Sequence, residues 1–146
     1  MINVIIAEQY KVFLTEKFIE DVVHLTLIDQ KIDFEKNDLS VVIDSDEVLK
    51  KLNQQYRGLD QPTDVLSFSA NDLDLETGHN ILGDIVISYP RAEKQAVDAN
   101  HTVNKEVQLL IIHGVLHLLG YDHSNEKEKV IMWDVQNRLM LQDMKD

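Results

Sequence analysis

The segment from about Asn104 to Leu119 constrains the fold more than any other part of the chain. Val107, Leu109, Leu110, Ile111, Ile112, Val115, Leu116, Leu118 and Leu119 cover every side of its later half, so a helix here has no solvent face and belongs at the centre of the molecule. Two polar side chains interrupt that surface, His113 and His117, and a polar group carried into an apolar interior needs a partner. Their four-residue spacing stacks them on one helix face with side chains roughly 5 to 6 Å apart, so both can grip one ion. Gly120 can adopt positive φ and end the helix, which lets the chain turn back and aim His123 at the same point as a third ligand. Half of the 6 histidines fall in this single pattern, His-x-x-x-His-x-x-Gly-x-x-His, and that concentration marks it as a metal site. His24, His79 and His101 carry no such pattern and read as surface or structural residues, with the weaker option that one of them lines a cleft.

Three neutral imidazoles leave one position of a four-coordinate ion open, which distinguishes a catalytic zinc site from a structural one. Zn²⁺ lowers the pKa of a bound water to about 7 and polarises a substrate oxygen, so hydrolysis is the reaction class this pattern predicts. The chain has no cysteine, hence the ligands are nitrogen and oxygen, and nickel, cobalt or iron would also accept them. Zinc peptidases with the same histidine spacing carry a glutamate directly after the first histidine as general base. Here that position is Gly114, which removes the usual proton shuttle for peptide hydrolysis. Asp122, adjacent to His123, has two readings: it orients an imidazole or shuttles a proton, or it is a turn residue. Glu106, seven residues before His113 on the same helix face, has the same options and ranks below Asp122.

A chain of 146 residues is expected to form one domain with a core that needs no disulfides. The absence of cysteine suits a reducing cytoplasm. The N-terminus lacks a basic start, and no stretch approaches the roughly 20 apolar residues of a membrane span, so a soluble, unprocessed, cytoplasmic protein is expected. With 14 Lys plus Arg against 26 Asp plus Glu, the formal charge of -12 repels polyanions at long range. A nucleic-acid substrate therefore needs a local basic cleft or a partner that presents it.

Periodicity predicts a strand at residues 2 to 7, then a helix marked by Leu14, Phe18 and Val22, and a second strand from Leu39 to Ile43. Asp44 and Glu47 have capping-box spacing ahead of a helix with Val48, Leu49, Leu52 and Tyr56 on one face, stopping near Arg57-Gly58. After a turn at Asp60 to Thr63, Val65 to Phe68 reads as a short strand, residues 70 to 80 as a polar loop, and Ile81 to Ser88 as a longer strand. Pro90 suits the first turn of a helix reaching about residue 98. A last helix opens near Ser124 or Asn125, with Ile131, Val135 and Leu139 at four-residue spacing. On spacing alone Arg57 is a solvated cation at a helix end, and Asp60 and Asp64 are turn formers. Beside a hydrolytic metal the arginine gains meaning, because a guanidinium is always charged and its forked donors match phosphate oxygens.

Three blocks carry a resemblance to a known family: Asn53-x-x-Tyr56-Arg57-x-x-Asp60-x-Pro62-Thr63-Asp64-Val65-Leu66-Ser67-Phe68, then Leu82-Gly83-Asp84-Ile85-x-Ile87-Ser88, then the histidine stretch through Tyr121-Asp122-His123. In this order they resemble the YbeY family of bacterial endoribonucleases. The family often has proline after Ser67-Phe68, where this chain has Ser69, a difference of strand-end geometry. The resemblance implies an α+β fold, a small mixed β-sheet flanked by helices with a zincin-like layout and a central buried metal-binding helix. It implies a metal-dependent endoribonuclease specific for single strands, acting in ribosomal RNA processing, notably 16S rRNA 3′-end maturation, and in ribosome quality control. By position, His113, His117 and His123 become ligands of one Zn²⁺, and Arg57 stabilises the phosphate in the transition state. Expected partners are single-stranded ribosomal RNA and ribosomal particles or proteins, without membrane or DNA. RNA is expected along an edge strand near Gly83 to Ser88. Lys50, Lys51, Arg91 and Lys94 form a positive rim or are ordinary exposed helix charges. Two rivals remain open: a metal-dependent peptidase or small-molecule hydrolase, and a non-catalytic ribosome-assembly factor with a structural metal.

Overall fold

The computed structural model describes residues 1–141. Four strands, β1 (Ile2–Ile6), β2 (Asn37–Asp44), β3 (Val65–Leu73) and β4 (Asn80–Ser88), make one sheet in the order β1-β2-β4-β3. β1 with β2 and β2 with β4 are parallel, while β3 runs antiparallel to β4, so the sheet is mixed. Around it lie α1 (Glu16–Asp29), α2 (Asp46–Arg57), α3 (Tyr89–Ala99), α4 (Val103–Leu118) and α5 (Glu126–Met140). The architecture is α+β and consistent with a zincin-like layout, as the sequence implies. Among the described residues no helix is long and apolar enough to cross a membrane.

Successive side chains of a strand point to opposite faces, and the two faces of this sheet are covered differently. Leu39, Val41, Ile43, Ile85 and Ile87 join the large core with α1 and α4. Val86 and Leu66, with Val42 packed beside them, meet Leu49 and Leu52 of α2 on the other face. α4 is the expected central helix, with Val107, Ile111, Ile112, Val115 and Leu116 fully buried. It approaches the sheet through Gly114, where an added Cβ would stand 2.8 Å from Ile85 Cγ2. The residue that replaces the peptidase glutamate is thus a contact surface, and a side chain there has no room.

Some boundaries differ from expectation. β4 is not an edge strand: it lies between β2 and β3, and its successive apolar residues Ile85, Val86 and Ile87 are covered by helices on both faces of the sheet. The edges are β1 and β3, and β3 runs on to Leu73, so the polar loop shrinks to residues 74–79. α1 starts after Thr15, whose side chain accepts from Phe18 N–H, leaving Leu14 outside the helix yet buried. The cap of α2 is Ser45, which accepts from Val48 N–H, not the Asp44–Glu47 pair. Its oxygen satisfies a first-turn donor as the box would have done, one residue later. α2 ends as expected, with Gly58 in the left-handed conformation (φ 71°) directly after Arg57.

Candidate metal centre and cleft

His113 and His117 project from the last turns of α4, and Gly120 (φ 102°) turns the chain so that His123 comes back over them. One nitrogen from each of the three rings lies within 4.8 Å of the others. The Nε2 atoms of His113 and His117 stand 3.0 Å apart. Two donors on a tetrahedral ion with bonds of about 2.0–2.1 Å sit roughly 3.3 Å apart, so this pair is spaced for a metal. Among the described residues the cluster holds these three histidines and no fourth ligating side chain.

Protonation supports the same fit. Gln136 of α5 is buried, and its Oε1 lies 2.6 Å from Nδ1 of His113, so Nδ1 carries the proton and Nε2 presents a lone pair to the centre. His117 is bonded to the Tyr121 backbone in the sense that favours an N–H on its ring. With its Nε2 facing His113, Nδ1 is the nitrogen left for that bond. Two lone pairs 3.0 Å apart repel unless a cation lies between them. Burial lowers the pKa of His113, against the opposing bond to Gln136, and burial together with the neighbouring His113 and His123 lowers that of His117. Both rings are therefore held neutral, the state in which imidazole binds a metal. The site could hold one ion on three nitrogens.

His123 is exposed and stands on a turn fixed by its neighbours. Asp122 Oδ1 accepts from the His123 backbone N–H at 2.7 Å, and this bond, followed by one from Ser124, lowers the Asp122 pKa. The Asp122 side chain borders a separate recess with Leu119, Gly120, Tyr121, Glu128 and Ile131. Tyr121 anchors the same turn by donating its hydroxyl to Gln30 Oε1 at 2.6 Å, at the end of α1.

The three rings form one wall of a cleft of about 720 Å³, a size that takes a small organic ligand. Its other walls are the C-terminal end of α2, with Tyr56 and Arg57, the turn at Thr63 and Asp64, and β3 from Val65 to Ser69. Arg57 and the histidines, far apart in sequence, therefore share one cavity. Gly83 to Ser88, expected beside the substrate, do not line it; the edge strand that does is β3. Glu106 lies buried 2.7 Å from His101 Nε2 and does not line the open cleft, bordering instead a smaller recess with Asp64, Gln95, His113 and Gln136. His79 pairs with Asp38 and His24 packs against Phe34, so neither approaches the centre. Arg91 is bonded to Asp46 at 3.0 Å and Lys50 lies 3.8 Å from Asp60; neither lines the cleft, and nor do Lys51 and Lys94.

Two residues of the site escaped the sequence reading. Gln136 belongs to another helix and has no spacing relation to the histidines; only its polar side chain one position after the apolar Val135 hints at it. Asp64 looked like a turn former, and its Oδ1 does accept from Val65 N–H at 2.8 Å. It also borders the cleft, and its Oδ2 accepts from Gln95 Nε2 at 3.1 Å, behind His113.

A helix-borne histidine pair, a third histidine after a glycine turn and an arginine at the end of the facing helix, all set about a mixed sheet, make a hydrolase-like cleft that could hold one metal ion. A family profile described as Endoribonuclease YbeY matches residues 4–143. The chain belongs to the YbeY family. It is 42% identical to the Endoribonuclease YbeY of Dehalococcoides mccartyi, covering 95% of this chain and 87% of that protein. It is 39% identical to that of Persephonella marina, covering 86% and 82%. Among solved structures it resembles the solution structure of TM1509 from Thermotoga maritima, with a TM-score of 0.63, 31% identity, and coverage of 96% and 87%.

Proposed function

We propose that this chain is a metal-dependent, single-strand-specific endoribonuclease of the cytoplasm. In this reading it acts in ribosomal RNA processing, including 16S rRNA 3′-end maturation, and in ribosome quality control on ribosomal particles. The observation that carries the chemistry is the convergence of three imidazoles with Arg57 in one cleft. The names of its relatives support the choice of RNA.

His113, His117 and His123 would hold one Zn²⁺, each through a ring nitrogen. When bound, that ion supplies Lewis-acid polarisation and a nucleophile at neutral pH. The chain's own residues do the rest. Gln136 keeps the His113 proton on Nδ1, so that Nε2 stays available. Asp122 holds the backbone that carries His123. Hydrolysis adds water across a P–O bond, and the charge gathering on the phosphoryl oxygens is what the Arg57 guanidinium is suited to stabilise. β3, Thr63 and Asp64 form the wall along which a strand would lie.

The peptidase rival is disfavoured because Gly114 offers no carboxylate and its packing against Ile85 leaves no space for one. Turnover separates nuclease from assembly factor. Zinc-loaded protein should cut single-stranded RNA, and chelation or His113→Ala should abolish the cut. Arg57→Ala should lower turnover by about 10²-fold or more while zinc content stays at one ion per chain. RNA binding without any cleavage by loaded wild type would favour the assembly factor.

A further inference from the structure

Tyr56 is the most exposed aromatic residue among those described, at 62% of its surface. It continues the apolar stripe of α2 beyond Leu49 and Leu52, past the part of the helix that the sheet covers, and so overhangs the cleft beside Arg57. Phe68 of β3 meets its ring edge-on, with centroids 5.1 Å apart and planes at 61°. Phe68 is in turn packed on Leu49, Leu66 and Val86, so the brace is part of the core while the braced ring remains accessible. The ring thus keeps much of its apolar surface free at the mouth of the cleft, where a ligand that covers it would gain the burial.

The charge of the molecule sharpens the point. Among the residues lining the cleft Arg57 is the only lysine or arginine, and the chain carries a formal charge of -12. Ionic attraction to a polyanion is therefore small, and affinity must draw on contacts that ignore charge. Stacking of a base on an aromatic ring is such a contact, and it tolerates any base because each has a π-face.

We propose that Tyr56, braced by Phe68, is a base-stacking subsite that holds one unpaired nucleobase next to the phosphate facing Arg57 and the histidine cluster. The identity of this ligand rests on the ribonuclease reading. In a duplex both faces of a base are covered by its neighbours, so the subsite accepts only unstacked bases, and a preference for single strands follows from the geometry of one side chain.

The test is a cycle between Tyr56 and the base. Zinc-loaded protein is titrated with a labelled 2′-O-methyl phosphorothioate oligoadenylate, a backbone that resists cleavage, and with versions carrying one abasic residue at successive positions. At one position the abasic change should weaken wild-type binding roughly tenfold, and it should cost Tyr56→Ala nothing further. Tyr56→Phe should behave as wild type and Tyr56→Leu as Tyr56→Ala. The slope of log affinity against log salt should be shallow, near -0.7 for each phosphate engaged. An equal abasic loss in wild type and Tyr56→Ala overturns the subsite, as does a wild type indifferent to abasic residues with a steep salt slope. Cleavage of unmodified single-stranded RNA is followed in parallel. If it is absent while the Tyr56-dependent abasic loss persists, the subsite stands and the nuclease reading falls; if it is present without that loss, the reverse holds.

Discussion

His113 and His117 ride on a helix enclosed by core on nearly every side, whereas His123 hangs on an exposed turn tied down by a few hydrogen bonds. The first two ligands take their positions from packing. Their rings are set by Gln136, by the contact of Gly114 with Ile85, and by a hydrophobic surface that formed for reasons unrelated to metal. The third takes its position from local polar chemistry, a glycine with positive φ, the Asp122 carboxylate and the Tyr121 hydroxyl. A rigid pair and a tethered single thus divide the work. On that division, disturbing the pair should cost stability and replacing the single should leave the fold intact.

The strongest way to break this contrast is to remove one ligand from each part and measure the metal-free protein. His113→Ala strands Gln136 Oε1 in the interior and opens a void, so chemical denaturation should show a loss of about 2–4 kcal/mol. His123→Ala should stay within about 0.5 kcal/mol of wild type. Equal losses would erase the distinction. Next, Gly114→Ala forces a methyl against Ile85 at 2.8 Å and should cost about 1–3 kcal/mol in the same assay, more than a typical glycine to alanine change within a helix, which is favourable. A smaller effect, and one that leaves the fold in place, is expected from Gln136→Leu. Zinc affinity measured by competition with a chromophoric chelator should fall at least tenfold, while Gln136→Glu, which keeps an acceptor, should retain most of it.

The smallest effect tests whether α5 is held from outside as well as through Gln136. Asp29 of α1 is bonded to Arg138 of α5, with Nη2 to Oδ2 at 3.1 Å, and this bond is the main cause of an Asp29 pKa below its ordinary 3.8. A carboxylate with a lowered native pKa contributes stability above its unfolded pKa and loses it as pH falls through the native one. The urea midpoint of Asp29→Asn should therefore lie slightly below that of wild type near neutral pH, and the two should converge below about pH 3.8. A gap that stays constant with pH would mean the ion pair contributes nothing.

The histidine centre was legible in the sequence because its parts are local. A four-residue step, a helix-ending glycine and a third ligand three residues later need only helix geometry to bring them together. The second wall was legible only through resemblance, since nothing in the spacing of Arg57 says that the end of α2 faces the end of α4. The expected edge strand near Gly83 to Ser88 proved to be internal for a related reason. Pairing between strands is non-local, and the apolar run Ile85-Val86-Ile87 reports cover on both faces of the sheet without saying which strands lie beside β4. Gln136 was invisible because a buried amide has no pattern of its own until the partner it serves is known.

Since Gly114 lets α4 rest directly on Ile85, the bulk of one hydrocarbon side chain sets the height at which both helix-borne imidazoles stand above the sheet. The gap between those rings and the guanidinium across the cleft is thereby gauged by a residue with no polar atom. Tuning such an enzyme would begin at position 85, beneath the reaction and out of reach of solvent.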